Sequence, residues 1–138
     1  MKRVLFICTH NSARSQMAEG LVNHDLAGKV QAFSAGTEPS SVNPLVIAAM
    51  KEAGIDISRH RSKSIDEFAD ERFDFVITLC DHAAESCPVF FGGTRRMHMG
   101  FPDPATVKGT EEEKISFFRK LRDQIREKII GFLSAQEG

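Results

Sequence analysis

Val4-Leu5-Phe6-Ile7 runs without a break into Cys8-Thr9-His10-Asn11-Ser12-Ala13-Arg14-Ser15, and an amphipathic stretch follows at once. A short, unbroken apolar run is the pattern of a strand buried on both faces of a sheet, where no polar alternation is needed. Residues 15–26 then predict a helix, with Met17, Leu21, Val22 and Leu26 on its apolar side and Gln16, Glu19 and Asn23 elsewhere. The residues between are a strand-to-helix turn. Such a turn aims successive backbone N–H groups into one concavity, and the positive end of the helix adds to it. Arg14 supplies a planar fork suited to a tetrahedral oxyanion. A cysteine at the start of this turn is stabilised as the thiolate. Ser15 is placed to donate a hydrogen bond to the sulfur, and Asn11 tolerates left-handed backbone geometry. Thr9, His10, Asn11, Ser12, Ala13, Arg14 and Ser15 are therefore the expected oxyanion-binding residues around Cys8. A Cys-x5-Arg spacing alone is common by chance. Its place directly after an apolar strand and before a helix is what makes it informative.

Outward from this turn, residues 30–34 predict a second strand, stopped by Ala35-Gly36. Residues 44–52 predict a helix with Asn43 as N-cap, Pro44 in the first position and Gly54 past the end. Residues 64–71 predict a short helix capped by Ser64, with Glu67 three residues on. Residues 73–79 are the clearest strand, 81–86 a helical segment ended by Cys87-Pro88, and 96–99 a last strand. Residues 111–133 predict one long amphipathic helix whose apolar stripe is Ile115, Phe118, Leu121, Ile125, Ile129, Phe132 and Leu133. The alternation of strands and helices implies a single doubly wound α/β domain over residues 1–138, a four-stranded parallel sheet flanked by helices. Ligands of such sheets bind outside the carboxyl ends of the strands, where Cys8 and Cys80 each follow a predicted strand.

Composition agrees. A chain of 138 residues with 41% hydrophobic and 27% charged residues is the size and character of one globular domain. A net charge of −1 without long like-charge runs disfavours a nucleic-acid partner. The first apolar run is too short for a secretory segment, and no stretch approaches the ~20 apolar residues of a bilayer span. A cytoplasmic, monomeric protein with no membrane partner is expected. Three cysteines do not make a static disulfide framework, and thiols in a reducing compartment point to catalysis, redox chemistry or metal binding. His82, His98 and the scattered cysteines lack zinc-ligand spacing, so neither metal nor cofactor is expected.

The segments CTHNSARSQMAEG (8–20), FSAGTEP (33–39), VNPLVIAAMKEAGIDIS (42–58), VITLCD (76–81) and GFPDPA (100–105) together give the chain a distinctive signature. It resembles the low-molecular-weight protein tyrosine phosphatase superfamily and, within it, the thioredoxin-coupled arsenate reductases. The resemblance implies that Cys8 is the nucleophile, that Arg14 binds the oxyanion and that Asp103 of Asp103-Pro104 is the general acid.

Both branches of the superfamily share those residues. Reduction is favoured here because Cys80 and Cys87 match the reductases' additional pair, for which a phosphatase has no use. Ala105 also stands where phosphatases usually carry an aromatic residue, and the chain has no Tyr or Trp. On one helix a spacing of seven separates two residues by about 10.5 Å. A disulfide needs Cα atoms within roughly 7 Å, so Cys80 and Cys87 would bond only if the segment between them bends or unwinds. The resemblance thus implies a Cys8, Cys80, Cys87 relay acting on arsenate, with phosphate or sulfate as competitors and thioredoxin or a similar dithiol as reductant. The alternative is phosphomonoester hydrolysis through a Cys8 phosphocysteine.

Three positions depart from the family pattern. His10 stands where Gly is frequent, and Ala13 replaces a second loop cysteine, which excludes a disulfide within the loop. Some reductases of the family bind potassium beside the loop. Asn11, Glu19 and Ser34 match three of those positions, but Lys63 occupies the fourth, so its ammonium is expected to replace the cation.

Overall fold

The computed structural model describes residues 1–79, 95–102, 104 and 107–137. Four strands, β1 (Lys2–Cys8), β2 (Val30–Gly36), β3 (Phe75–Thr78) and β4 (Arg95–His98), form one parallel sheet in the order β2-β1-β3-β4. The expected architecture is therefore the observed one. β1 is central, with Cys8 opposite Gly36 of β2 and Ile7 opposite Thr78 of β3. Val4, Leu5, Phe6 and Ile7 are wholly buried, which is why this strand reads as an uninterrupted apolar run. Its neighbours bring Ala32, Ala35, Phe75, Val76 and Ile77 into the same core.

Helix α1 (Arg14–Asp25) follows β1, and α2 (Pro44–Glu52) follows β2. Asn43 caps α2 by accepting the Leu45 N–H at 2.8 Å, as its sequence predicts. α1 is less one-sided than expected: Ser15, Gln16, Met17 and Ala18 are all buried, because the helix is enclosed by β2, the other helices and the turn that precedes it. The predicted helix over 64–71 is only a 3-10 turn, Ile65–Phe68, with the Ser64 hydroxyl accepting from Asp66 N at 3.1 Å. β2 does not stop before Ala35-Gly36; it pairs through both.

The C-terminal helix is interrupted. It comprises α3 (Glu111–Ile125), a π-helical turn (Arg126–Ile130) and α4 (Gly131–Glu137). Thr110 and Glu113 form a reciprocal capping box at its start. Leu121, Ile125, Ile129 and Leu133 are each about 1% exposed or less. They recur every four residues, slower than the 3.6-residue helical period, so an ideal helix would rotate this stripe off the core. The wider π turn keeps it there.

Candidate active site

The turn after β1 is shaped by where its carbonyls go. The carbonyl oxygens of Cys8, Thr9, His10 and Ser12 each accept a backbone N–H from the strip after β2: Thr37 at 3.3 Å, Glu38 at 2.8 Å, Ser40 at 3.2 Å and Asn43 at 3.0 Å. With the carbonyls tied outward, the alternate side of the peptide planes is left for the concavity. The FSAGTEP and VNP motifs are the strip that does this. Asn11 turns the chain at φ 51°, the left-handed region the sequence anticipated. Gly36 is required by close approach: a Cβ there would stand 2.6 Å from the Thr9 carbonyl oxygen and 2.9 Å from the Asn11 nitrogen. Ala13, a poor N-cap, begins α1 without any side-chain cap, and the first turn holds no acidic residue. The helix start thus leaves donors for a ligand rather than for its own side chains.

Cys8 is 3% exposed and lies at the bottom of this turn. Its sulfur accepts the Asn11 backbone N–H at 3.2 Å and lies 2.9 Å from the Ser15 hydroxyl. The direction of that second bond follows from its neighbours. Asn11 Oδ1 accepts the Lys63 backbone N–H at 2.8 Å, so its amide nitrogen faces Ser15 and donates to Oγ at 2.7 Å. The Ser15 hydrogen is then directed at the sulfur. Arg14, partly exposed, donates from Nη1 to the Phe101 carbonyl at 3.2 Å.

Behind the loop lies a polar cluster that the sequence only partly announced. Gln16 is wholly buried; its amide nitrogen donates to Asn11 O at 3.1 Å, Asn11 Oδ1 at 2.9 Å and Arg61 O at 2.9 Å. Its carbonyl oxygen faces His60 Nδ1 at 3.0 Å, and the same ring nitrogen lies 3.2 Å from Glu19 Oε2. Glu19 Oε1 accepts the Ser34 hydroxyl at 2.8 Å and sits 3.8 Å from the Lys63 ammonium. Burial lowers the His60 pKa below its ordinary value, with Glu19 opposing. Burial likewise lowers that of Lys63, again with Glu19 opposing. These residues do not fit a potassium ion. The oxygens of Asn11 and Glu19 that match the family's cation ligands already face N–H, O–H and ammonium donors.

Among the described residues, Cys8, His10, Ser12, Ala13 and Arg14, with Asn43 and Pro104, line a cavity of about 140 Å³. The structure so assembles most of the predicted oxyanion-binding residues in one place. Thr9 and Asn11 shape the turn around it: the Thr9 carbonyl accepts the Glu38 N–H, and Asn11 donates its backbone N–H to the Cys8 sulfur and its amide to Ser15. Cys80, Cys87, Asp103 and the predicted helical segment 81–86 lie outside the described residues. Sequence reading missed Gln16 and His60, because a polar residue on a helix and a lone histidine after it carry no periodic signal. It also missed Gly36, read only as a strand stop.

A model of the low molecular weight phosphotyrosine protein phosphatase family matches residues 3–137. An arsenate reductase of Halalkalibacterium halodurans is 47% identical over 131 residues, 95% of this chain and 94% of that protein. The solved structure of an arsenate reductase in its oxidized state superposes with a TM-score of 0.83 at 36% identity, covering 100% of both chains. A thioredoxin-dependent arsenate reductase of Corynebacterium glutamicum superposes with a TM-score of 0.72 at 28% identity, covering 98% of this chain and 63% of that one. With the fold, the Cys8 turn and these likenesses in agreement, this chain belongs to the low molecular weight phosphotyrosine protein phosphatase family.

Proposed function

We propose that the chain reduces arsenate to arsenite, with Cys8 as nucleophile and Cys80 and Cys87 as a disulfide relay regenerated by thioredoxin or a comparable dithiol. The observation that carries this reading is the buried Cys8 sulfur, fed by two hydrogen bonds, in a cavity the size of a small oxyanion. Its nearness to full-length arsenate reductases supports reduction over hydrolysis.

Arsenate enters the turn, where backbone N–H groups and the Arg14 guanidinium take its charge. The Cys8 thiolate attacks arsenic, and one arsenate oxygen leaves as water with a proton from Asp103. The Cys80 thiolate then attacks the Cys8 sulfur. The S–As bond breaks with its electron pair left on arsenic, which falls from As(V) to As(III) and departs as arsenite. Cys87 attacks Cys80, freeing Cys8 and leaving a Cys80–Cys87 disulfide. The dithiol partner reduces that bond. Phosphate and sulfate compete for the same turn. The reaction belongs in the cytoplasm, on a monomer; among the described residues no helix is long and apolar enough to cross a membrane.

The family match also suits phosphomonoester hydrolysis through Cys8, and two measurements separate the readings. Arsenate-dependent NADPH oxidation with a thioredoxin system is expected here, together with the loss of two free thiols per chain after arsenate. Unchanged thiols with turnover of an aryl phosphate establish the hydrolase instead.

A further inference from the structure

We propose that the His10 side chain is a specificity-determining residue, a ring fixed across the mouth of the Cys8 pocket that admits a free tetrahedral oxyanion and disfavours one carrying an aryl group. This rests on reading the pocket as an oxyanion site. Cys8 is buried on the floor, whereas His10, which lines the same cavity, is exposed and so stands at the rim. The residue is held on both sides. Its carbonyl oxygen accepts the Ser62 hydroxyl at 2.8 Å and Ser40 N at 3.2 Å, and its ring Nδ1 lies 3.0 Å from the Glu38 carbonyl oxygen. A carbonyl is only an acceptor, so Nδ1 carries a hydrogen and the ring plane is tied back to the strip that supports the turn. An exposed histidine without such a tether would swing aside.

Size makes the ring matter. A cavity of roughly 150 Å³ is filled by one benzene-sized molecule. The Cys8 pocket, at about 140 Å³, is of that order, so an aryl group carried on an oxyanion bound at Cys8 reaches the open side of the pocket. The aryl group of an ester would have to leave through the mouth, past the exposed His10, in a pocket that Asn43 and Pro104 also line. Among the described lining residues, Asn43 is committed to capping α2, whereas the exposed His10 side chain can be changed in size without removing that cap.

The test uses binding, so that it survives a failure of the proposed reaction. Protection of Cys8 from iodoacetamide is followed on the Cys8 peptide by mass spectrometry, with inorganic phosphate and with phenylphosphonate. In the unsubstituted protein phosphate protects at lower concentration. His10→Ala should improve phenylphosphonate relative to phosphate by about tenfold or more, and His10→Phe, which keeps a ring at the rim but loses the Nδ1 tether, should improve it by clearly less. A smaller change in His10→Ala, or an equal change in His10→Phe, overturns the proposal. His10→Asn gives the same reading if the alanine variant does not fold. Failure of phosphate to protect the unsubstituted protein at all would instead remove the oxyanion site itself.

Discussion

Ser15 holds its hydroxyl 2.9 Å from the Cys8 sulfur, with the Asn11 amide donating to that hydroxyl from behind. The donor direction is imposed, so the bond is a permanent stabiliser of negative sulfur. A hydrogen bond to a charged group contributes about 1.5–3 kcal/mol. Ser15→Ala should therefore slow Cys8 alkylation at pH 7 and arsenate reduction by roughly ten- to a hundredfold. Equal alkylation rates in the two proteins would show that the hydroxyl does not support the sulfur.

Gly36→Ala should damage the turn from outside it. The added carbon meets backbone atoms of Thr9 and Asn11 at 2.6 and 2.9 Å, and backbone cannot swing away as a side chain can. A cost of about 1–3 kcal/mol is expected for such overpacking, visible as a lower melting temperature. The loss of phosphate protection at Cys8 should be larger than that of stability, because the two displaced residues shape the concavity. A variant that melts lower but protects normally would place the strain elsewhere.

How far the sequence alone leads is visible in these residues. β1 and the turn were legible because burial on both faces and a strand-to-helix transition each leave a local pattern. The role of Asn11 was legible from its tolerance of positive φ, and the Ser15 contact from its place at the start of α1. Gln16 was not, since besides nearby Asn11 its partners are Arg61 and His60, 45 and 44 residues away. The π turn was hidden for a subtler reason: Phe118 and Phe132 add three-residue steps to the stripe, so the sequence reads as one regular amphipathic helix. Gly36 was seen, but only as punctuation, because close approach between backbones is a property of the folded chain.

The Lys63 ammonium lies 3.8 Å from Glu19 and is 12% exposed like its partner, where the family's cation would sit, so activity is expected to need no potassium. Potassium and sodium chloride at equal ionic strength should give the same kcat/KM and melting temperature. Lys63→Met should lower stability by roughly 1–3 kcal/mol, since it leaves a mostly enclosed carboxylate without its ammonium partner. A large gain with potassium in the unsubstituted protein would mean that the ion displaces the lysine.

Cys87→Ser separates the relay into its steps. The variant should complete one turnover of arsenate and then stop, leaving a Cys8–Cys80 disulfide detectable by mass spectrometry. Repeated turnover with thioredoxin would contradict the order of thiol attacks.

His60 predicts how stability responds to acid. Its pKa is depressed from 6.5 chiefly by burial, although Glu19 pulls the other way. The unfolded chain takes up this proton near 6.5, while the folded chain resists it until lower pH. Below that value the unfolded state binds more protons, so stability must fall as pH falls and recover as pH rises back through it. The carboxyl groups of Asp25 and Glu52, held below 3.8 and 4.5 by hydrogen bonds from Arg126 and Arg119, add their own loss only in stronger acid. Melting temperatures taken from about pH 7 to about pH 5 should thus decline, and His60→Gln, which keeps a side-chain donor for Gln16 but cannot titrate, should flatten the decline. A variant whose melting temperature tracks the unsubstituted protein across that range would assign the acid sensitivity to another group.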